Sequence, residues 1–198
     1  MPLTVATASV AQVVKKETAF LHQEVEQLLL PKLNAIKSPE DYAAILQTFY
    51  AFFHPVEEAI QAQISPAILP DMAKRRTALL IVDDLAFLEM NIGPLPCKAL
   101  PQITDTAQAF GAMYVLEGST LGGRMISKML AKNPALSLPP VALNFFNGYK
   151  EETGKMWTAF VDVLNKQKDT DTIVHSANQT FYYLKNWMQE TVCYESKN

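Results

Sequence analysis

Apolar residues recur along this chain at intervals of three and four, and alternating segments rich in β-branched residues are scarce. The pattern predicts an all-α fold. A first helix is expected from about Ser9 to Leu30, stopped at Pro31, whose ring and missing N–H oppose its continuation. Ser38-Pro39-Glu40-Asp41 supplies an N-cap, a proline at the first helical position and an acidic residue three after the cap, so a second helix opens there. It carries Tyr42, Ile45, Leu46, Phe49, Tyr50 and Phe53 before His54-Pro55 bends or breaks it. A third helix is expected over Asp71 to Met90, closing in the Asn91-Ile92-Gly93-Pro94 turn, with Gly93 to Pro101 as loop. A long helical segment from about Thr104 to Lys132 follows. Then come a Pro134 to Pro140 connection, a helix through Trp157 to Leu164, and a last helix from about Thr172 to Val192.

Composition narrows the class. With 198 residues, 49% of them apolar and 19% charged, the chain can bury one sizeable core, and no repeat or linker divides it, so residues 1–198 are expected to form one domain. The net charge of -3 comes without a basic stripe, which argues against nucleic acid as a partner. No apolar run is long enough to span a membrane. Lys15 and Lys16 follow the first apolar stretch instead of preceding it, unlike a secretory signal. Cys97 and Cys193 match no metal-ligand spacing and read as two reduced thiols, so a cytoplasmic location is expected.

Two features could carry chemistry. Helical spacing puts Val14, Thr18, His22, Val25 and Leu29 on or beside one stripe, which would turn His22 inward, with Glu26 one turn further on. A carboxylate that accepts one ring N–H fixes the tautomer and strengthens the other nitrogen as a metal ligand. The same spacing also suits a satisfied core histidine. The second feature is Gly111 to Arg124, which holds four of the seven glycines. Each glycine costs a helix about 1 kcal/mol relative to alanine, so the concentration needs a reason. Gly111, Gly118 and Gly122 fall near one face, where a flat ligand could approach the backbone or the helix could kink; close helix packing is the other explanation. An imidazole on one helix opposite a glycine-opened backbone on another are the two walls a haem needs, one axial nitrogen and one open side. Phe110, Met113, Phe145, Phe146, Tyr149 and Phe181 are candidates for the apolar lining, and Lys15, seven residues before His22, for neutralising a propionate.

Lys15-Lys16-Glu17-Thr18-Ala19-Phe20-Leu21-His22 with Glu26, and Tyr114-Val115-Leu116-Glu117-Gly118-Ser119-Thr120-Leu121-Gly122-Gly123, closely resemble the bacterial biliverdin-producing haem oxygenases. The likeness extends to Arg76 with Asp84-Leu85, to Phe145-Phe146 with Gly148-Tyr149 and Trp157, and to Ala177 with Thr180-Phe181 and Trp187; the tail is similar to the bacteriophytochrome-associated branch. The resemblance implies a single-domain multihelical bundle with haem held between the first helix and a kinked, glycine-rich distal helix. It implies His22 as the iron ligand and Lys15, Thr18, Glu26, Met113, Gly123, Phe145, Tyr149 and Phe181 as haem-binding residues. Gly118, Ser119, Gly122 and Arg124 would form the catalytic side. Many members carry aspartate where this chain has Ser119, so the residues that organise water near the iron differ here.

The implied reaction opens haem, both cofactor and substrate, to biliverdin, carbon monoxide and iron. It uses O2 and an external electron donor, a ferredoxin or flavin reductase, and a bacteriophytochrome could accept the product. The rival expectation is a haem carrier or sensor of the same fold that does not degrade its ligand. A helical scaffold or thiamin-pyrimidine enzyme of similar shape would bind no haem.

Overall fold

Capping residues adjacent in sequence set the helix starts in the computed structural model, which describes residues 8–93, 97–136 and 140–195. Ser9 accepts from the Gln12 N–H while the Gln12 side chain accepts from the Ser9 N–H, opening α1 (Val10–Asn34). Ser38 and Asp41 form the same reciprocal pair at the start of α2 (Pro39–Gln63). The others are α3 (Leu79–Phe87), α4 (Thr106–Leu130, capped by Asp105), α5 (Asn144–Asn147), α6 (Thr153–Leu164) and α7 (Thr170–Glu195). No strand occurs among the described residues.

Three boundaries depart from the sequence pattern. Pro31 lies inside the last turn of α1 and does not stop it. Pro31 and Gln27, whose carbonyl the missing N–H would have served, are both exposed, so that carbonyl faces solvent. Pro55 likewise sits within α2, which continues and buries Val56 and Ile60 beyond it. The third helix is much shorter than Asp71 to Met90: a 3-10 turn at Met72–Lys74 and an extended Arg75 precede α3. Side chains from elsewhere claim the N–H groups of this stretch. Tyr149 Oη accepts from the Arg76 N–H at 2.7 Å, and Glu57 Oε2 accepts from the Ala78 N–H at 2.7 Å.

Helix α7 is the spine, packed along both α1 and α4, while α2 lies against α4 and α6 bridges α4 and α1. The Trp187 indole N–H donates to the Thr48 carbonyl at 2.8 Å and fastens α7 to α2. Phe49, Phe53, Phe145 and Phe146 interlock at ring distances of 5.3 to 5.7 Å, most of them edge to face. The short α5 enters this core because the buried Asp84 carboxylate accepts the N–H groups of Asn144 and Phe145, each at 2.9 Å.

Candidate active site between α1 and α4

His22 does not turn inward. Its side chain is 56% exposed and stands on the stripe Lys15, Ala19, His22 and Glu26, all exposed, beside the buried stripe of Val14, Thr18 and Val25. Thr18 is buried and donates its hydroxyl back to the Val14 carbonyl at 2.7 Å, so it carries no spare proton for a ligand. The imidazole rests edge-on against buried Phe181 of α7, with ring centres 5.5 Å apart. Glu26 Oε1 lies 3.6 Å from His22 Nε2, an ion-pair distance too long for a hydrogen bond. This is not the satisfied core histidine that spacing alone would allow.

On α4 the four glycines divide by function. A Cβ on Gly111 would come within 2.4 Å of the Ile173 carbonyl, and one on Gly123 within 2.5 Å of the Phe146 carbonyl, so both permit close packing. Gly111 therefore leaves the open face expected of it, and Gly123 is buried away from any slot. A Cβ on Gly118 would make an ordinary 3.8 Å contact with Trp157, and one on Gly122 would meet nothing within 4 Å. Gly118, Leu121, Gly122 and Met125 share one side of the helix, and Leu121 and Met125 leave it 48% and 75% exposed. Apolar side chains left uncovered around an open glycine suit a flat apolar ligand. α4 is one uninterrupted helix; Ser119 and Thr120 donate to the carbonyls three residues back, at 2.6 and 2.7 Å.

Several other expected contacts lie elsewhere. Arg124, two residues and more than half a turn beyond Gly122, points to the far side, half exposed and 3.7 Å from Glu151. Phe145 and Met113 are buried in the core, as are Phe110 and Phe146. Tyr149 offers its hydroxyl to a buried polar network and does not stack on an open surface. Lys15 is exposed beside His22 on the same stripe.

That network was not singled out by sequence. Arg75 grips Asp71 with two N–H groups, at 2.7 and 3.1 Å, and donates to Glu117 at 2.9 Å and to the Met156 carbonyl at 2.8 Å. Burial opposes its charge, but Glu117 and Asp71 outweigh it and hold the pKa above the usual arginine value. Tyr149 donates to Glu117 at 2.7 Å, and burial together with the Glu117 charge pushes its phenol upward. Arg76 lies over the Phe145 ring at 4.4 Å and donates to the Leu116 carbonyl and to Ser119. Glu57 Oε1 and Arg76 Nε are buried without partners among the described residues. Burial lifts the Glu57 carboxyl to about 7. The available signals were Glu117 on an apolar helix and the Arg75-Arg76 pair.

A cleft of about 360 Å³ at the other end of α1, lined by Leu29, Ile36, Ile45 and Met188 among others, contains none of these residues. None of the described helices is long and apolar enough to cross a membrane.

The heme oxygenase family model matches residues 8–190. A heme oxygenase of Xanthomonas campestris pv. campestris (strain 8004) is 29% identical over 129 residues, covering 65% of this chain and 74% of that protein. Among solved structures, the NO- and CO-bound heme oxygenase from Neisseria meningitidis aligns with a TM-score of 0.74 at 23% identity, over 93% of this chain and 92% of its own. Heme oxygenase from Leptospira interrogans aligns at 0.65 with 17% identity, over 92% and 100%. Both share the all-helical fold.

Proposed function

The chain belongs to the heme oxygenase family, whose members are enzymes that degrade haem, and we propose that it holds haem between α1 and α4 with His22 as the iron ligand. The observations that carry this reading are an exposed imidazole on α1 and a helix face opened at Gly122 on α4, two helices that both pack on α7. Bound haem supplies redox-active iron and is itself the ring that is opened to biliverdin, carbon monoxide and iron, with O2 and electrons arriving from outside.

The chain's own residues bind, orient and exclude water. His22 offers one nitrogen to iron and leaves the other N–H for Glu26, which already stands 3.6 Å away. Lys15, exposed seven residues earlier on that stripe, would be the cation available to a propionate. Phe181 braces the imidazole from α7, and Leu121 and Met125 become covered when the ring is seated. Gly122, and Gly118 beside Trp157, would let the macrocycle approach the α4 backbone, and Ser119 would hold water beside it. Thr18, Met113, Gly123, Phe145 and Tyr149 act from behind these walls, by packing or through the polar network.

We place the chain in the bacteriophytochrome-associated branch on the strength of Ser119 and the tail, with a ferredoxin or flavin reductase as donor and a phytochrome as the biliverdin acceptor. The cytoplasm, which keeps thiols such as Cys97 reduced, is the matching compartment. Haem titration of the purified protein should give a one-to-one Soret complex that His22→Ala weakens or alters. An unaltered spectrum removes His22 from the iron. Supplying a reductant and O2 should replace the Soret band with biliverdin absorbance, whereas haem that stays bound and intact makes the protein a carrier or sensor.

A further inference from the structure

We propose that Arg76 is a positioning residue, which locks the Ser119 hydroxyl as a pure hydrogen-bond acceptor toward the slot and so orients the water held beside the haem. The proposal rests on the haem-degrading reading above and deepens it, by identifying what does the work of the missing carboxylate.

The hydrogen-bond count at Ser119 is decisive. A serine hydroxyl has one hydrogen and two lone pairs, and each terminal guanidinium nitrogen has two hydrogens. Arg76 Nη2 donates to both the Leu116 carbonyl, at 2.9 Å, and Ser119 Oγ, at 3.0 Å. Ser119 Oγ in turn donates to the Leu116 carbonyl at 2.6 Å. The serine hydrogen and one lone pair are therefore spent, and one lone pair remains. Rotation of the hydrogen toward Arg76 would oppose a cationic donor, and rotation toward the slot would give up the 2.6 Å bond to Leu116. A carboxylate is likewise acceptor-only, so the Ser119–Arg76 pair shares its hydrogen-bond direction without its negative charge.

Arg76 is held firmly enough to do this. Its guanidinium lies over Phe145 at 4.4 Å and Phe53 at 5.4 Å, and its backbone N–H donates to Tyr149, itself tied to Glu117. Ser119 is half-buried and within one turn of both Gly118 and the open Gly122, and we place on its free lone pair a water held in that space. Such a water gives one hydrogen to Ser119 and keeps the other for the iron side. A freely rotating hydroxyl would not enforce that direction.

The test is a double-mutant cycle on the ferric haem complex, read as the midpoint of its acid–alkaline absorbance change. A water hydrogen aimed at the iron side favours the alkaline form, so losing it raises the midpoint. Arg76→Lys keeps the charge but loses the planar guanidinium that lies on Phe145 and fixes where the donor sits. Arg76→Lys and Ser119→Ala should each raise the midpoint by about half a pH unit, and the double variant by no more than either alone. Ser119→Thr, which retains the hydroxyl, should restore it. In the protein without haem, Ser119→Ala should move the Arg76 side-chain N–H resonances. Additive shifts, or none, overturn the proposal. Should Arg76→Lys fail to fold, an unchanged midpoint in Ser119→Ala does so alone. A wild-type protein that binds no haem refutes the parent reading instead, while the resonances still report on the contact.

Discussion

Adjacent glycines on α4 should respond oppositely to the same methyl group. Gly122→Ala adds a Cβ that meets nothing within 4 Å, so the haem-free protein gains helix propensity without a clash. That gain is about 0.8–1 kcal/mol, and in a chain of this size it raises Tm by about 2–4 °C. Gly123→Ala places its Cβ 2.5 Å from the Phe146 carbonyl, a backbone atom that cannot swing aside. Overpacking of that kind costs about 1–3 kcal/mol, which exceeds the propensity gain and leaves the variant less stable by up to about 2 kcal/mol. With haem the order reverses. The Gly122 methyl occupies the slot and should weaken haem binding about tenfold or more, whereas Gly123→Ala, measured where it remains folded, should bind nearly as wild type. Thermal unfolding of the haem-free proteins and Soret titration give both numbers. Were Gly122→Ala to gain stability and keep full haem affinity, the open face of α4 would not be the haem wall.

The remaining predictions concern the supporting structure. Arg75→Met leaves the carboxylates of Asp71 and Glu117 uncompensated and should cost about 3–5 kcal/mol, read from the urea midpoint; a loss below about 1 kcal/mol would show the network to be dispensable. Glu57, lifted by burial from 4.5 to about 7, holds its proton more tightly when folded. Its contribution to stability is thus complete below about pH 4.5 and falls as pH climbs toward 7. Glu57→Gln should flatten that decline, by at most roughly 3 kcal/mol, and parallel stability profiles for the two proteins would contradict the assignment. Ser38→Ala removes the reciprocal cap of α2 and should cost about 1 kcal/mol in the same unfolding assay.

Local chemistry was legible in the sequence and distant chemistry was not. The Ser38–Asp41 cap, the His22–Glu26 spacing and the glycine-rich stretch each involve residues within one or a few turns. Pro31 and Pro55 misled because proline's penalty in a helix interior, about 3 kcal/mol, is finite. Burying Val56 and Ile60 beyond Pro55 returns about 1.5–3 kcal/mol each, so continuing the helix wins. The late start of the third helix depends on Tyr149 and Glu57, which sit 73 and 21 residues from the N–H groups they take. Arg76 and Ser119, 43 residues apart, are likewise joined only by the fold. Gly122 and Gly123 are the instructive case, since no property of glycine itself distinguishes them. A Cβ on Gly123 would strike a carbonyl while one on Gly122 would meet nothing within 4 Å, and only the neighbour across the gap tells them apart. A glycine-rich helix in a sequence therefore marks a place where something comes close, and its identity as substrate or backbone has to be read residue by residue from the surroundings.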